Sequence, residues 1–173
     1  MSKLKSMSAK HLETLLLSLG ACEDALLWSE GKTLKVAWST CDRGDWLLWL
    51  AGRMEGREGW VTRQELVLAA CDCAELSLKY VKDREDRPRI AIETTRKWAR
   101  GEATLEEVRI ARRAAYDAGY DAGYAAADTA AAYAAVADTA AAYAADVAGT
   151  SRAETLKRCA ELVRARLHPK AVL

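Results

Sequence analysis

Apolar residues recur at three- and four-residue intervals along most of this chain, the spacing that gathers side chains on one face of a helix. Leu12, Leu15, Leu16 and Leu19 share a side of the segment starting at Ser8, and Gly20 suits the left-handed position that closes it. The next segment, CEDALLWSE, carries acids in its first turn, where the helix dipole favours them, and ends before Gly31. TLKVAWST follows, with Thr33 as its expected cap. In CDRGDWLLWLAGRM, Gly44 breaks the pattern and Asp45 is the expected N-cap of a short apolar helix. That run is short enough for a strand, but no second strand candidate exists to pair with it.

Hydroxyl-to-carboxylate spacings of three residues predict further helix starts at Thr62 with Glu65, Thr104 with Glu107 and Ser151 with Glu154. From Thr62 the pattern places Leu66, Ala69, Ala70, Cys73, Leu76 and Tyr80 on one side of a helix of about five turns. The charged run KDREDRPR ends it, and Pro88 suits the first turn of IAIETTRKWAR, which closes at Gly101. The last helix follows Ser151 and runs to Leu167, before Pro169.

The pattern changes over residues 114–148, which consist almost entirely of Ala, Tyr, Asp, Gly and Thr, with no Lys or Arg. YDAG repeats with a period of four and ADTAAAYAA with a period of ten. One helix from Leu105 to Ala148 would extend about 66 Å, too long for a compact domain of this size, so a break is expected at an Asp-Thr pair or near Gly119 to Gly123. Small residues four apart allow close approach of another helix, and the tyrosines add contact area, which suits an architectural spine. Ice binding does not fit, because a ten-residue period turns a helix through about 2.8 turns and Thr129 and Thr139 leave each other's face. The aspartates of this stretch solvate an Ala-rich helix or offer an acidic face to a partner; without a histidine or i,i+4 spacing they make a poor metal site.

The sequence therefore predicts an all-α fold, a compact multi-helix bundle with a long Ala/Tyr-rich helix or helix pair in its C-terminal half. Its 173 residues fit one helical domain, 1–173, with residues 1–19 as a peripheral N-terminal helix. A net charge of +1 supplies no field for nucleic acid or an anionic membrane, and no run approaches a membrane span of about 20 apolar residues. Five scattered cysteines read as free thiols of a reducing cytoplasm. Cys71 and Cys73 point about 200° apart on a helix, so neither a redox pair nor a zinc site follows. Cys22 and Cys159 remain able to converge in space, although buried free thiols are commoner.

Catalytic chemistry finds little support. His11 and His168 stand near opposite ends of the chain and belong to no nucleophile or metal motif, so no catalytic residue, metal ligand or cofactor is expected. The most loaded segment runs from Cys41 to Arg53, where Asp42, Arg43 and Asp45 adjoin Trp46 and Trp49. Arginine offers a planar fork and Trp a stacking face, so Asp42, Arg43, Asp45, Trp46, Trp49 and Arg53 are binding candidates, joined by Arg96, Trp98 and Arg100. The plainer reading packs both tryptophans in the core, uses Asp45 as a cap and pairs Arg43 with Asp42 or another acid.

The segments GKTLKVAWSTCDRGDWLLWLAGR, LVLAACDCAELSLKYV and EDRPRIAIETTRKWARGEATLEEVR, in this order before an Ala/Tyr stretch, resemble the immunity proteins associated with bacterial polymorphic toxins. CDRGDWLLWL and RKWARGEATLEEVR are the specific parts. The resemblance covers roughly residues 20 to 165 and implies a helical, cytoplasmic, non-enzymatic protein that binds a toxin or defence effector and blocks it. The strong acidity that would suit a basic nuclease target is missing. The alternative from a different class is a sequestering protein that holds a small anionic or nucleotide-like ligand between Trp/Tyr faces and arginines. A third reading is a scaffold whose small-residue ridges form a homo-oligomer.

Overall fold

Local chemistry at the helix ends accounts for most element boundaries. In the computed structural model, which describes residues 9–81, 84–117 and 152–172, every regular element is helical. The order is α1 (Ala9–Leu19), α2 (Glu23–Ser29), α3 (Leu34–Thr40), α4 (Gly44–Arg53), α5 (Arg63–Glu75), α6 (Arg87–Ala99), α7 (Leu105–Asp117) and α8 (Arg152–Arg166). Short 3-10 turns occupy Leu78–Tyr80 and Lys170–Val172. Gly20 stands at positive φ behind α1, as the sequence predicts, and Gly31 and Gly101, expected only as helix ends, do so behind α2 and α6.

Thr33 accepts the backbone N–H of Val36 at the start of α3. The Thr62–Glu65 capping box is complete, with each side chain reaching the other's backbone N–H. Thr104 and Glu107 form the same reciprocal pair before α7. The Ser151–Glu154 box lies outside the described residues, as do residues 118–151 of the Ala/Tyr stretch with its expected breaks. The described start of that stretch completes α7, where Arg113 pairs with Asp117.

Two expectations change. Gly44 does not interrupt the pattern but opens α4, and Asp45 sits inside the first turn instead of capping it; the N-cap position belongs to Arg43, whose side chain makes no cap bond. The helix after Thr62 ends at Glu75 rather than near Tyr80. There the N–H groups of Leu76 and Ser77 turn to the carbonyls three residues back, and the buried Ser77 hydroxyl also donates to Ala74 at 2.7 Å. A serine that bonds its own turn competes with the i→i−4 ladder.

α5 is the central helix. Its buried set, Leu66, Val67, Ala69, Ala70, Cys71, Cys73 and Ala74, extends around most of its circumference, beyond the single face that periodicity predicts. It packs against α4 and α8 and also against α6. Small side chains there let the neighbouring backbones come close. α7 packs on α6, and Ala91, Ala111 and Ala115 form a small buried alanine cluster there. α1 lies beside α2 and adds Leu12 and Leu16 to the main core.

α8 fastens the fold at its C-terminal end. Arg164 donates to the Cys41 carbonyl at 2.6 Å, satisfying the end of α3, and Arg166 bonds the Asp72 carboxylate on α5. Beyond it, Ala171 donates to the Gly59 carbonyl at 3.0 Å and Val172 is buried. No described helix is long and apolar enough to cross a membrane.

Candidate functional site

Helices α1 to α4 enclose a crevice of about 40 Å³ whose walls are overwhelmingly apolar. Leu12, Leu16 and Leu47 line its depth, and Trp28, Trp46 and Trp49 line it while remaining only partly buried. Trp28 and Trp46 meet edge to face, with ring centroids 6.0 Å apart. The pairing joins α2 to α4 through a geometry that aromatic quadrupoles favour. Trp38, more deeply buried, meets Trp60 in the same manner at 6.1 Å.

Trp28, Trp46 and Trp49 each carry a cation. Lys32 Nζ lies 4.4 Å from the Trp28 ring and also donates to the Trp28 carbonyl. The Arg43 guanidinium stands 4.3 Å from the Trp46 ring, and that of Arg53 is 5.7 Å from Trp49. All three distances fall within the range in which the ring face attracts a cation. Arg43 is held more firmly than the others, because its Nε donates to Asp45 Oδ1 at 2.9 Å and its Nη2 to Oδ2. This hydrogen-bonded carboxylate raises the Arg43 pKa above its ordinary value. Lys32 and Arg53 pair with no carboxylate among the described residues.

The sequence candidates thus fall into two groups. Trp46 and Trp49 line the crevice, Arg43 and Arg53 stand against their rings and Asp45 holds Arg43, with Asp42 exposed in the turn before them. The plainer reading of this segment is correct in part: Arg43 does pair with an acid, but the acid is Asp45, and the tryptophans are only partly core. Trp28 and Lys32 belong to the same cluster and escaped sequence reasoning; their i,i+4 spacing was the available signal.

Arg96, Trp98 and Arg100 form no such pocket. Arg96 is taken up by Asp72 at 2.9 Å and Glu75 at 2.7 Å, across the α5–α6 joint. Arg100 pairs with Glu102, and Trp98 is half-buried against the main core.

The crevice floor offers no reactive group. Cys41 is buried there, and desolvation raises its thiol pKa, which keeps it protonated at neutral pH. Cys22 and Cys159 do not share an environment, since Cys22 is exposed and Cys159 buried. The thiol beside Cys159 is Cys73, whose Sγ lies 3.8 Å from the Cys159 carbonyl oxygen. Among the described residues no cluster of His, Cys, Asp or Glu can hold a metal ion. Both histidines are exposed, His11 on α1 and His168 beyond α8.

A second concavity, about 400 Å³ and open, lies between α6 and α7, with Ile90 and Ile110 exposed along it and Arg87, Lys97, Glu102 and Glu107 at its margins. Its charges are of both signs, and no tryptophan lines it.

Comparison with known proteins gives one family. Residues 60–168, from the turn before α5 to the end of α8, match the family described as "Imm-5 like putative immunity protein". A comparison with curated proteins and one with solved structures each give no match. Two of the segments that carry the resemblance, residues 66–81 and 85–109, fall inside the matched span; residues 31–53, with the tryptophan crevice, precede it. Since the match spans well over half of the chain, the protein belongs to the Imm-5-like immunity protein family.

Proposed function

We propose that this protein is a non-enzymatic, cytoplasmic inhibitor that neutralises a toxin or defence effector by binding it and covering its working surface. Membership of the immunity family over residues 60–168 is the observation that carries the reading. The chemistry of the described residues agrees with it. Burial raises the Cys41 and Cys71 thiols, Arg43 and Arg96 are engaged with carboxylates, and the tryptophan cluster is aromatic and cationic rather than nucleophilic.

Sequestration of a nucleotide-like ligand is less well supported. Pockets that enclose such ligands hold roughly 300–1,000 Å³. The tryptophan crevice holds about 40 Å³, and its arginines stand against the Trp46 and Trp49 rings rather than among its lining residues. A side chain from another protein fits that space better.

The direct test is growth rescue. The neighbouring genes are expressed one at a time, and where one arrests growth, co-expression of this protein is expected to restore it. Failure to rescue, with no complex between the two purified proteins, overturns the proposal.

A further inference from the structure

We infer that the α1–α4 crevice is the docking surface for the effector, and that the effector presents to it a small apolar side chain flanked by carboxylates. The inference rests on the binding reading above and specifies where and by what chemistry binding occurs.

Three observations converge on it. First, the crevice joins shape with the residue types that dominate interface energetics. Trp and Arg are enriched among residues whose truncation costs most in complexes, and such residues cluster in water-excluding pockets. Here three partly exposed tryptophans surround an apolar depth lined by Leu12, Leu16 and Leu47, with room for a small aliphatic group.

Second, the charge around the crevice is locally incomplete. Trp28, Trp46 and Trp49 each carry a cation, and among the described residues only Arg43 of the three cations has a carboxylate partner, Asp45. Lys32, which also donates to the Trp28 carbonyl, and Arg53 thus stand against two of the crevice tryptophans as cations for incoming carboxylates. The acids of α2, Glu23 and Asp24, belong to its first turn, whereas Trp28 lies in its last. The chain's net charge of +1 makes this complementarity local, fixing register rather than steering encounter over long distance.

Third, the surface is organised before binding. Arg43 is fixed by a two-bond fork to Asp45 and by the Trp46 face, and Trp46 is fixed by Trp28. Groups already held in place lose less conformational freedom when a partner arrives, which leaves more of the contact energy for affinity. The α6–α7 groove lacks this combination. Its margins mix signs, and no tryptophan lines it.

The test uses the full protein and the purified effector encoded beside its gene, with Kd measured by titration calorimetry. Lys32→Glu and Arg53→Glu are each expected to weaken binding about tenfold or more, as charge reversals opposite a carboxylate do. Ile110→Glu, in the α6–α7 groove, is expected to change it by less than about twofold. Trp46→Ala removes a wall of the crevice, and its helix content is checked in parallel because the ring also packs. Replacing an effector carboxylate by lysine is expected to restore binding to Arg53→Glu. If the wild type binds the effector while Lys32→Glu and Arg53→Glu bind equally well, the docking surface is wrong and the inhibitor reading stands. If the wild type neither binds nor protects, both fall.

Discussion

Gly44 packs directly against Cys159: a Cβ added at Gly44 would lie 2.4 Å from the Cys159 Cβ and 2.7 Å from the backbone nitrogen of Ala160. Real side chains do not approach so closely, and a backbone atom cannot swing aside. The contact sets how near α4 and α8 come, and so links the helix that carries Trp46 and Trp49 to the C-terminal part of the family-matched span.

Gly44→Ala is therefore expected to destabilise the fold by overpacking, at a cost of about 1–3 kcal/mol. Alanine ordinarily favours a helix over glycine, so propensity predicts the opposite sign. Urea unfolding monitored by tryptophan fluorescence decides between them: a lower midpoint supports the crossing, and a higher one shows that the helices separate freely.

Asp72 occupies a second joint, accepting Arg96 from α6 at 2.9 Å and Arg166 from α8. Its side chain is only 14% exposed, and its removal takes one of two carboxylates from Arg96, which keeps Glu75, and the Asp72 carboxylate from Arg166. Asp72→Ala is expected to cost about 1–3 kcal/mol. The Asp72→Ala/Arg96→Ala double-mutant cycle should give a coupling of about 0.5 kcal/mol or more, and a coupling near zero would remove the joint from the account.

Acid should weaken the same region. The Arg96 hydrogen bond holds the Glu75 pKa below its ordinary value, and the Arg87 fork brings Glu85 down to about 2. A carboxyl depressed in the folded state stabilises it above the unfolded value of about 4.3 and loses that contribution as pH falls through the folded value. The urea midpoint of the wild type should thus decline below about pH 4.5, with Glu75→Gln lower at neutral pH and less sensitive to acid. Equal acid sensitivity in the two proteins would remove Glu75 as a contributor. The half-exposed position of Glu75 keeps the effect small.

Thiol labelling offers an independent check on the core. Cys22 is exposed, whereas Cys41, Cys71, Cys73 and Cys159 are buried. Burial pushes Cys71 up to about 12, and the neighbouring Cys159, together with burial, holds Cys73 well above its ordinary value. One thiol should react rapidly with a disulfide reagent in native protein and all five in denaturant. Rapid native labelling of Cys73 or Cys159 would contradict the packing of α5 against α8.

These relationships differ in how visible they are in the sequence, and distance along the chain explains the difference. The Thr62–Glu65 and Thr104–Glu107 boxes were legible because their partners are three residues apart and meet wherever a helix begins. The Arg43–Asp45 pair was half legible: nearness required an acid for Arg43, but Asp45 was equally able to cap α4 until tertiary packing placed it inside the first turn. Arg164 with Cys41 and Arg166 with Asp72 were hidden, because nothing local in either segment names a partner so far away. The all-α class was legible throughout, since it depends on period alone. The all-round burial of α5 was not, because alanine and cysteine fit either a core or a surface until a neighbour closes over them.

The central claim is neutralisation by stoichiometric binding rather than by catalysis. Its most direct measurement titrates the effector's activity with this protein at an effector concentration well above Kd. We predict a linear loss of activity that reaches its floor at a fixed molar equivalence, with the complex recovered intact by size-exclusion chromatography. Complete loss at a small fraction of equivalence, or undiminished activity at excess, would contradict it.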